Sequence, residues 1–331
     1  MGPHMRSKAL HSPWTPLRTI RVGEVLPLGE SSARWLIEEL WSARAVGVLG
    51  GPPKSCKTWL AVDLALSVAS GTKALGRYSV REPGPVLFFA AEDALALIRE
   101  RFEALSSQRG LALETLEVLL VDVPVLRLDR EEDQNKLSET LRLKRPKLLV
   151  LDPLVRLHAL EENSASEISG LLSFLRHLER KYEVAILVVH HTRKSAGGAG
   201  QGGQGLRGSS DIHAWGDSNL YLRRARDGLL LTVEHRSHPA PLPILVRLET
   251  KPLPHLEVSS KEVSEESADP FAEEVFWCLK NAPGPLRLED LRQQLSVRKQ
   301  RIVEALRELT DTGRVERSQE GFVCLRSPGE D

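Results

Sequence analysis

The sequence predicts an α/β protein: a mostly parallel sheet with helices on both faces, antiparallel strands at its end, and a second, smaller domain. Three observations carry this. Apolar runs without alternation recur between Ala45 and Val189, separated by segments of three- and four-residue spacing, the pattern of parallel strands covered on both sides. After Ser210 the rhythm changes to strand-like segments in quick succession. Beyond a stretch rich in Pro, Ser and Glu, helical spacing appears three times and gives way to two short β runs.

In chain order, Met1-Gly2-Pro3-His4 reads as an expression-tag remnant, and residues 1–30 together as remnant plus a Pro-rich N-terminal arm. The large domain is expected over 31–250. It opens with a helix over Ser31–Trp41, in which Trp35 and Trp41 either pack in the core or stack on a base. Strands follow at Ala45–Leu49, Pro85–Ala91, Leu116–Val123, Lys147–Leu151 and Val184–Val189, with helices at Asp93–Leu105, Glu131–Leu143 and Ser166–Lys181 between them. Asn219–Arg224, Leu229–Arg236 and Ile244–Thr250 read as antiparallel strands extending the sheet, with Asp227-Gly228 as a turn. Residues 251–269 read as a linker. Residues 270–326 read as a winged helix, with helices at Phe271–Leu279, Leu288–Leu295 and Ser296–Thr310 before a hairpin. Residues 327–331 read as a disordered tail.

Composition narrows the function. The 331 residues allow one large domain and one small one. Lys+Arg and Asp+Glu both number 45, so a nucleic-acid role must rest on local patches and not on net charge. Cys56, Cys278 and Cys324 lack metal-ligand spacing and fit a reducing compartment. No apolar run nears the roughly 20 residues of a membrane span, and no signal peptide is visible. A cytoplasmic protein without a membrane partner is expected.

The most informative stretch is Ala45–Ala69. An apolar strand ends in Gly50-Gly51, and Lys57-Thr58 opens a helix with Leu60, Leu64 and Val68 on its spacing. Strand, Gly-rich turn and a helix beginning Lys-Thr form a phosphate-binding loop, here Gly51-Pro52-Pro53-Lys54-Ser55-Cys56-Lys57-Thr58, with Trp59 following. Backbone N–H groups and the helix N-terminus cradle phosphates. Lys57 reaches the β- and γ-phosphates, and the Thr58 hydroxyl ligates Mg²⁺. ATP and Mg²⁺ are therefore the expected cofactors. Cys56 stands where glycine is usual, and its Cβ calls for somewhat different dihedrals.

Other constellations complete the site. Asp152 ends the strand KLLVLD as a second acidic group for Mg²⁺ or its water. Glu92 follows the strand PVLFFAA, expected beside the phosphate-loop strand, and is the candidate for orienting the attacking water. Asp93 is either part of that site or an N-cap of the next helix. His190-His191-Thr192 ends another strand, where a polar group can contact the γ-phosphate. A metal site is disfavoured because adjacent residues point to opposite faces of a strand. The Gly197–Gly205 run, flanked by Arg193, Lys194 and Arg207, suits gripping single-stranded DNA or is a bare linker. Arg207 and Arg236 are candidate arginine fingers across a subunit interface. In the small domain Arg298, Lys299, Arg301 and Arg307, with Arg314 and Arg317, match a recognition helix and wing on duplex DNA; a protein-contact role is the alternative.

Over Trp35–Thr250 the chain resembles RecA-superfamily ATPases of the plasmid replication helicase (RepA) type. The resemblance is carried by the phosphate loop with its Trp-Leu-Ala-x-Asp-Leu-Ala continuation, FFAAED, LLVLDPL, HHTRK and LRGSSD. It implies a RecA-like core, ATP hydrolysis at subunit interfaces and a hexameric ring. It further implies that Glu92 is the catalytic carboxylate, that His191 senses the γ-phosphate, and that Arg236 stands where ring helicases place a trans-acting arginine. The expected function is an oligomeric Mg-ATP-hydrolysing, DNA-dependent ATPase, a helicase of replication or of a mobile element. The alternatives are an ATP-controlled DNA-binding regulator without unwinding activity and a protein-recruiting ATPase.

Overall fold

The structure, a computed structural model, describes residues 19–24, 34–160, 165–191, 210–225, 228–259, 270–282, 284–295, 297–311, 314–318 and 321–324. Of the N-terminal arm only residues 19–24 are described, with a short 3₁₀ turn at Val22–Glu24. The disordered-tail expectation for 327–331 lies outside the described residues.

The segment expected as a helix from Ser31 is instead a hairpin of β1 (Trp35–Ile37) and β2 (Trp41–Ser42). Glu39 takes φ 60 in the turn between them. The apolar spacing in this stretch fits either element. Tertiary bonds decide: Ser42 N–H donates to Ser218 Oγ at 3.1 Å and Trp41 Nε1 to the Ala45 carbonyl at 3.4 Å, which seats Trp41 in the core at 1% exposure. Trp35 leans on the rings of His235 and His238.

The core strands are β3 (Val46–Gly51), β4 (Val86–Ala90), β5 (Val118–Leu120), β6 (Leu148–Asp152) and β7 (Ala185–His191). Helices α1 (Lys57–Ser70), α2 (Leu95–Gln108), α3 (Glu131–Lys144) and α4 (Ala165–Tyr182) connect them. After α5 (Ser210–Trp215) come β8 (Ser218–Ala225), β9 (Gly228–His235), β10 (Ile244–Glu249) and β11 (His255–Val258). They form one sheet in the order β11-β10-β9-β8-β3-β7-β6-β4-β5.

Three expectations change here. The strand carrying Glu92, β4, is not beside the phosphate-loop strand, because β7 and β6 lie between them. β8 pairs in parallel with β3, so the antiparallel part begins only at β9. The core also runs past Thr250, because β11 pairs with β10 inside the stretch expected as linker. Its four residues, closely preceded by Pro252 and Pro254, are too short for a periodic signal. Asp227 of the expected turn lies outside the described residues.

Successive side chains leave a strand on opposite faces, so each core strand feeds two apolar layers. Leu49, Phe88, Val150 and Leu187 pack toward α1 and α2, whereas Val48, Phe89, Leu151 and Val188 pack toward α3 and α4. Arg109 at the end of α2 pins it to α1 by pairing with the fully buried Asp63 and by donating to Ser67 Oγ at 2.8 Å. Burial holds the Asp63 carboxyl up against the pull of Arg109.

The small domain has α6 (Pro270–Lys280), α7 (Leu288–Leu295), α8 (Lys299–Asp311) and a hairpin of β12 (Val315–Arg317) and β13 (Phe322–Cys324). Val275, Leu291, Ile302, Leu306 and Leu309 are buried in its own core.

One glycine in the large sheet is dictated by close approach. A Cβ on Gly47 would lie 1.7 Å from the Ser218 carbonyl oxygen, where β3 meets the start of β8. Gly47→Ala is expected to lower unfolding free energy by about 3 kcal/mol through overpacking. Urea denaturation checks it, and an unchanged midpoint would contradict the contact.

Candidate nucleotide site

β3 ends in the phosphate loop because its neighbours leave no room for side chains. A Cβ on Gly51 would sit 2.5 Å from the Leu222 carbonyl and 2.9 Å from Ser55 Oγ. Lys54 and Cys56 take φ 60 and φ 61, both in the left-handed region that glycine enters most readily. Lys57, mostly buried, curls back over the loop and donates from Nζ to the carbonyls of Gly51 at 3.0 Å and Pro52 at 2.8 Å. Burial pulls its amine down to about 8, against the nearby charges of Asp152 and Glu92.

Thr58, at the start of α1, donates its hydroxyl to Asp152 Oδ2 at 2.7 Å, joining the helix to the C-terminal end of β6. The Asp152 carboxyl is pushed up to about 6. Burial is the first cause, and Asp93 and Glu92 add to it against the Thr58 hydrogen bond and Lys57. β4 pairs with β6 so that Ala90 faces Asp152, which carries Glu92 and Asp93 into the same cavity from three strands away from β3. Glu92 accepts a hydrogen bond from Arg156 Nε at 2.8 Å. Asp93 is not an N-cap: Ala94 holds that position, and Asp93 pairs with Arg101, whose guanidinium lies 5.8 Å from the Trp59 ring centroid. His191 pairs in register with Gly51 and lines the cavity, while His190 is buried.

The cavity measures about 380 Å³ and gathers Lys54, Ser55, Cys56, Lys57, Thr58, Trp59, Glu92, Asp93, Asp152 and His191. Its donors fit a phosphate chain. Ser55 Oγ is buried without a hydrogen-bond partner among the described residues, and Lys57 has only loop carbonyls to bond. Thr58 and Asp152 offer the hard oxygen ligands Mg²⁺ requires. Among the described residues no cluster of three or more His, Cys, Asp or Glu forms a separate metal site.

Sequence reasoning missed three cations. Arg101 and Arg156 are named above. Arg224, on β8, donates to the Lys54 carbonyl at 3.0 Å. Only the sheet order could reveal Arg224, because β8 adjoins β3 across 170 residues of chain.

Arg236 lies elsewhere. It follows β9, at the sheet end away from the chain's own loop, and donates to the Ala214 and Trp215 carbonyls at 2.5 and 3.3 Å. Asp217 holds it from 3.6 Å. Arg193, Lys194, Arg207 and the Gly197–Gly205 run lie outside the described residues. In the small domain Arg298 and Lys299 are exposed, whereas Arg301 and Arg314 stack on Phe271 and Phe276 at 4.5 and 4.1 Å from the ring centroids.

Residues 16–197 match the AAA domain family. Among solved structures, a DnaB-like replicative helicase described with its primase interactions superposes with a TM-score of 0.50 at 14% identity, over 63% of this chain and 56% of that one. The RadB recombinase gives 0.48 at 19% identity, over 66% and 92% of the two chains.

The Asp152 environment has a measurable consequence. Its folded value lies above the usual 3.8, so folding favours the protonated form. That contribution is complete below about pH 3.8 and is lost as pH rises through about 6. At pH 8 the buried charge costs on the order of 3 kcal/mol. Asp152→Asn is expected to raise the urea midpoint of the nucleotide-free chain at pH 8, with the gain shrinking toward about pH 4. A gain independent of pH would assign the effect to something other than this charge.

Proposed function

The chain belongs to the AAA domain family, and on that premise we propose that it is an oligomeric, DNA-dependent motor ATPase of the RepA helicase type. It is an ATP-hydrolysing enzyme with a RecA-like P-loop NTPase core. The observation that carries the reading is the 2.7 Å bond from Thr58 to Asp152 beside the curled Lys57, with Glu92 in the same cavity.

In this reading ATP, bound with Mg²⁺, supplies the scissile phosphoanhydride. Lys57 exchanges its two carbonyl partners for phosphate oxygens, and Ser55 gains the partner it lacks. Thr58 and Asp152 would hold Mg²⁺, with Asp152 in its ionised form. Glu92 orients the attacking water through its carboxylate. His191, opposite Gly51 on β7, passes the state of the γ-phosphate to residues 192–209. There Arg193 and Lys194 grip single-stranded DNA.

Subunits assemble as a ring, and Arg207 or Arg236 reaches a neighbour's site; Arg236 does so by exchanging its own-chain carbonyls. The three helices and hairpin of residues 270–324 act as a winged helix that adds duplex contacts through Arg298 and Lys299. Arg301 and Arg314 contribute from their ring-stacked positions. The chain acts in the cytoplasm, and among the described residues no helix is long and apolar enough to cross a membrane.

Steady-state ATPase with and without single-stranded DNA at fixed low salt tests this. Stimulation of about tenfold is expected, corresponding to roughly 1.4 kcal/mol of barrier. Lys57→Ala is expected to abolish turnover, and Glu92→Gln to abolish it while nucleotide still binds. Turnover indifferent to DNA, with salt-sensitive duplex binding, would favour the ATP-controlled DNA-binding regulator.

A further inference from the structure

Cys56 stands in the loop where glycine is usual, and phosphate binding gives no reason for its thiol. It sits at the N-terminus of α1 in a left-handed conformation (φ 61, ψ 23), where an L side chain costs about 1–2 kcal/mol that glycine avoids. The thiol is half-buried and lines the same 380 Å³ cavity as Lys57 and Thr58. A second observation marks that spot as a ligand position: the neighbouring Ser55 hydroxyl is 1% exposed, lines the cavity and has no partner among the described residues. Arg224, Lys57 and Arg101 all bear electrostatically on the thiol. Cations and a helix N-terminus favour an anionic reagent.

We infer that Cys56 is a thiol-modification site at which a small anionic disulfide, of the glutathione disulfide class, competes with ATP and reversibly silences the enzyme. The step is thiol–disulfide exchange. The Cys56 thiolate attacks one sulfur of the disulfide, the S–S bond breaks, and one half leaves as a thiolate. The other half stays bonded to Cys56 as a mixed disulfide in the phosphate cavity. No further oxidant is needed, because the incoming disulfide is reduced as Cys56 is oxidised. Excess small thiol reverses the exchange by the same chemistry.

The thiol is half-buried in the cavity wall, so a reagent must enter the cavity to reach it. Access is what ATP removes. The inference rests on the loop being the nucleotide site.

The test uses the full chain with Cys278→Ser and Cys324→Ser, so that Cys56 is the sole thiol, incubated with oxidised glutathione. Peptide mass mapping is expected to place the adduct on Cys56, with ATPase lost in proportion and restored by dithiothreitol. MgATP at about ten times its Kd is expected to slow adduct formation about tenfold, since only the free chain reacts. Cys56→Gly, compared with its own untreated activity, is expected to be insensitive. No adduct, an adduct without loss of activity, or one forming equally fast under saturating MgATP would each overturn the inference. Titration of a fluorescent ATP analogue separates the two claims. If nucleotide does not bind, the site assignment itself falls; if it binds and Cys56 stays unmodified, only the modification falls.

Discussion

The nucleotide site depends on one contact, the hydrogen bond by which Thr58 at the head of α1 meets Asp152 at the end of β6. The strand that leads to Thr58, β3, is not a neighbour of β6, and β7 lies between them. The bond therefore reports on the register of three parallel strands at once. Val48 pairs with Val188 and Leu151 with Val188, so the three C-terminal ends come level. Every other group in the cavity is placed relative to that line. Lys57 and Ser55 are on the loop before it, His191 on the strand between, and Glu92 one strand further out.

The cavity also concentrates opposed charges. Asp152, Glu92 and Asp93 crowd one wall, and two of the three carry their own arginine from a different element, Arg156 and Arg101. Asp152 is the buried one of the three, which is why its charge is the costly one. A protein selected for stability alone would not leave a carboxylate there. A divalent cation held there, as proposed, would offset that cost.

Much of this was legible in the sequence, for identifiable reasons. The phosphate loop, Asp152 and Glu92 are fixed by local grammar: an apolar run, then a chemical group at its end. What periodicity cannot carry is lateral order. Nothing in PVLFFAAED says that two strands separate it from the loop, and nothing in NLYLRRA says that Arg224 reaches Lys54. The hairpin at Trp35–Ser42 reads as a helix because apolar residues at 35, 36, 37, 40 and 41 satisfy both periods, and bonds to residues around 218 break the tie. β11 escapes notice because four residues between turn formers carry no period at all.

The strand that leads into the loop finds its partners far along the chain. Val46 pairs with Ile186, 140 residues on, and Leu49 with Leu220, 171 residues on. Hydrogen bonds from Val48 N–H to Asn219 Oδ1 and from Ser42 N–H to Ser218 Oγ close comparably long loops. Such sequence-distant pairing slows folding, because loop-closure entropy is met before the contacts repay it. On the ribosome, residues 46–51 leave the exit tunnel long before any strand exists to flank them. The phosphate loop is therefore synthesised well before it can acquire its shape, and until then β3 is an unpaired apolar strand for the cell's chaperones to shield.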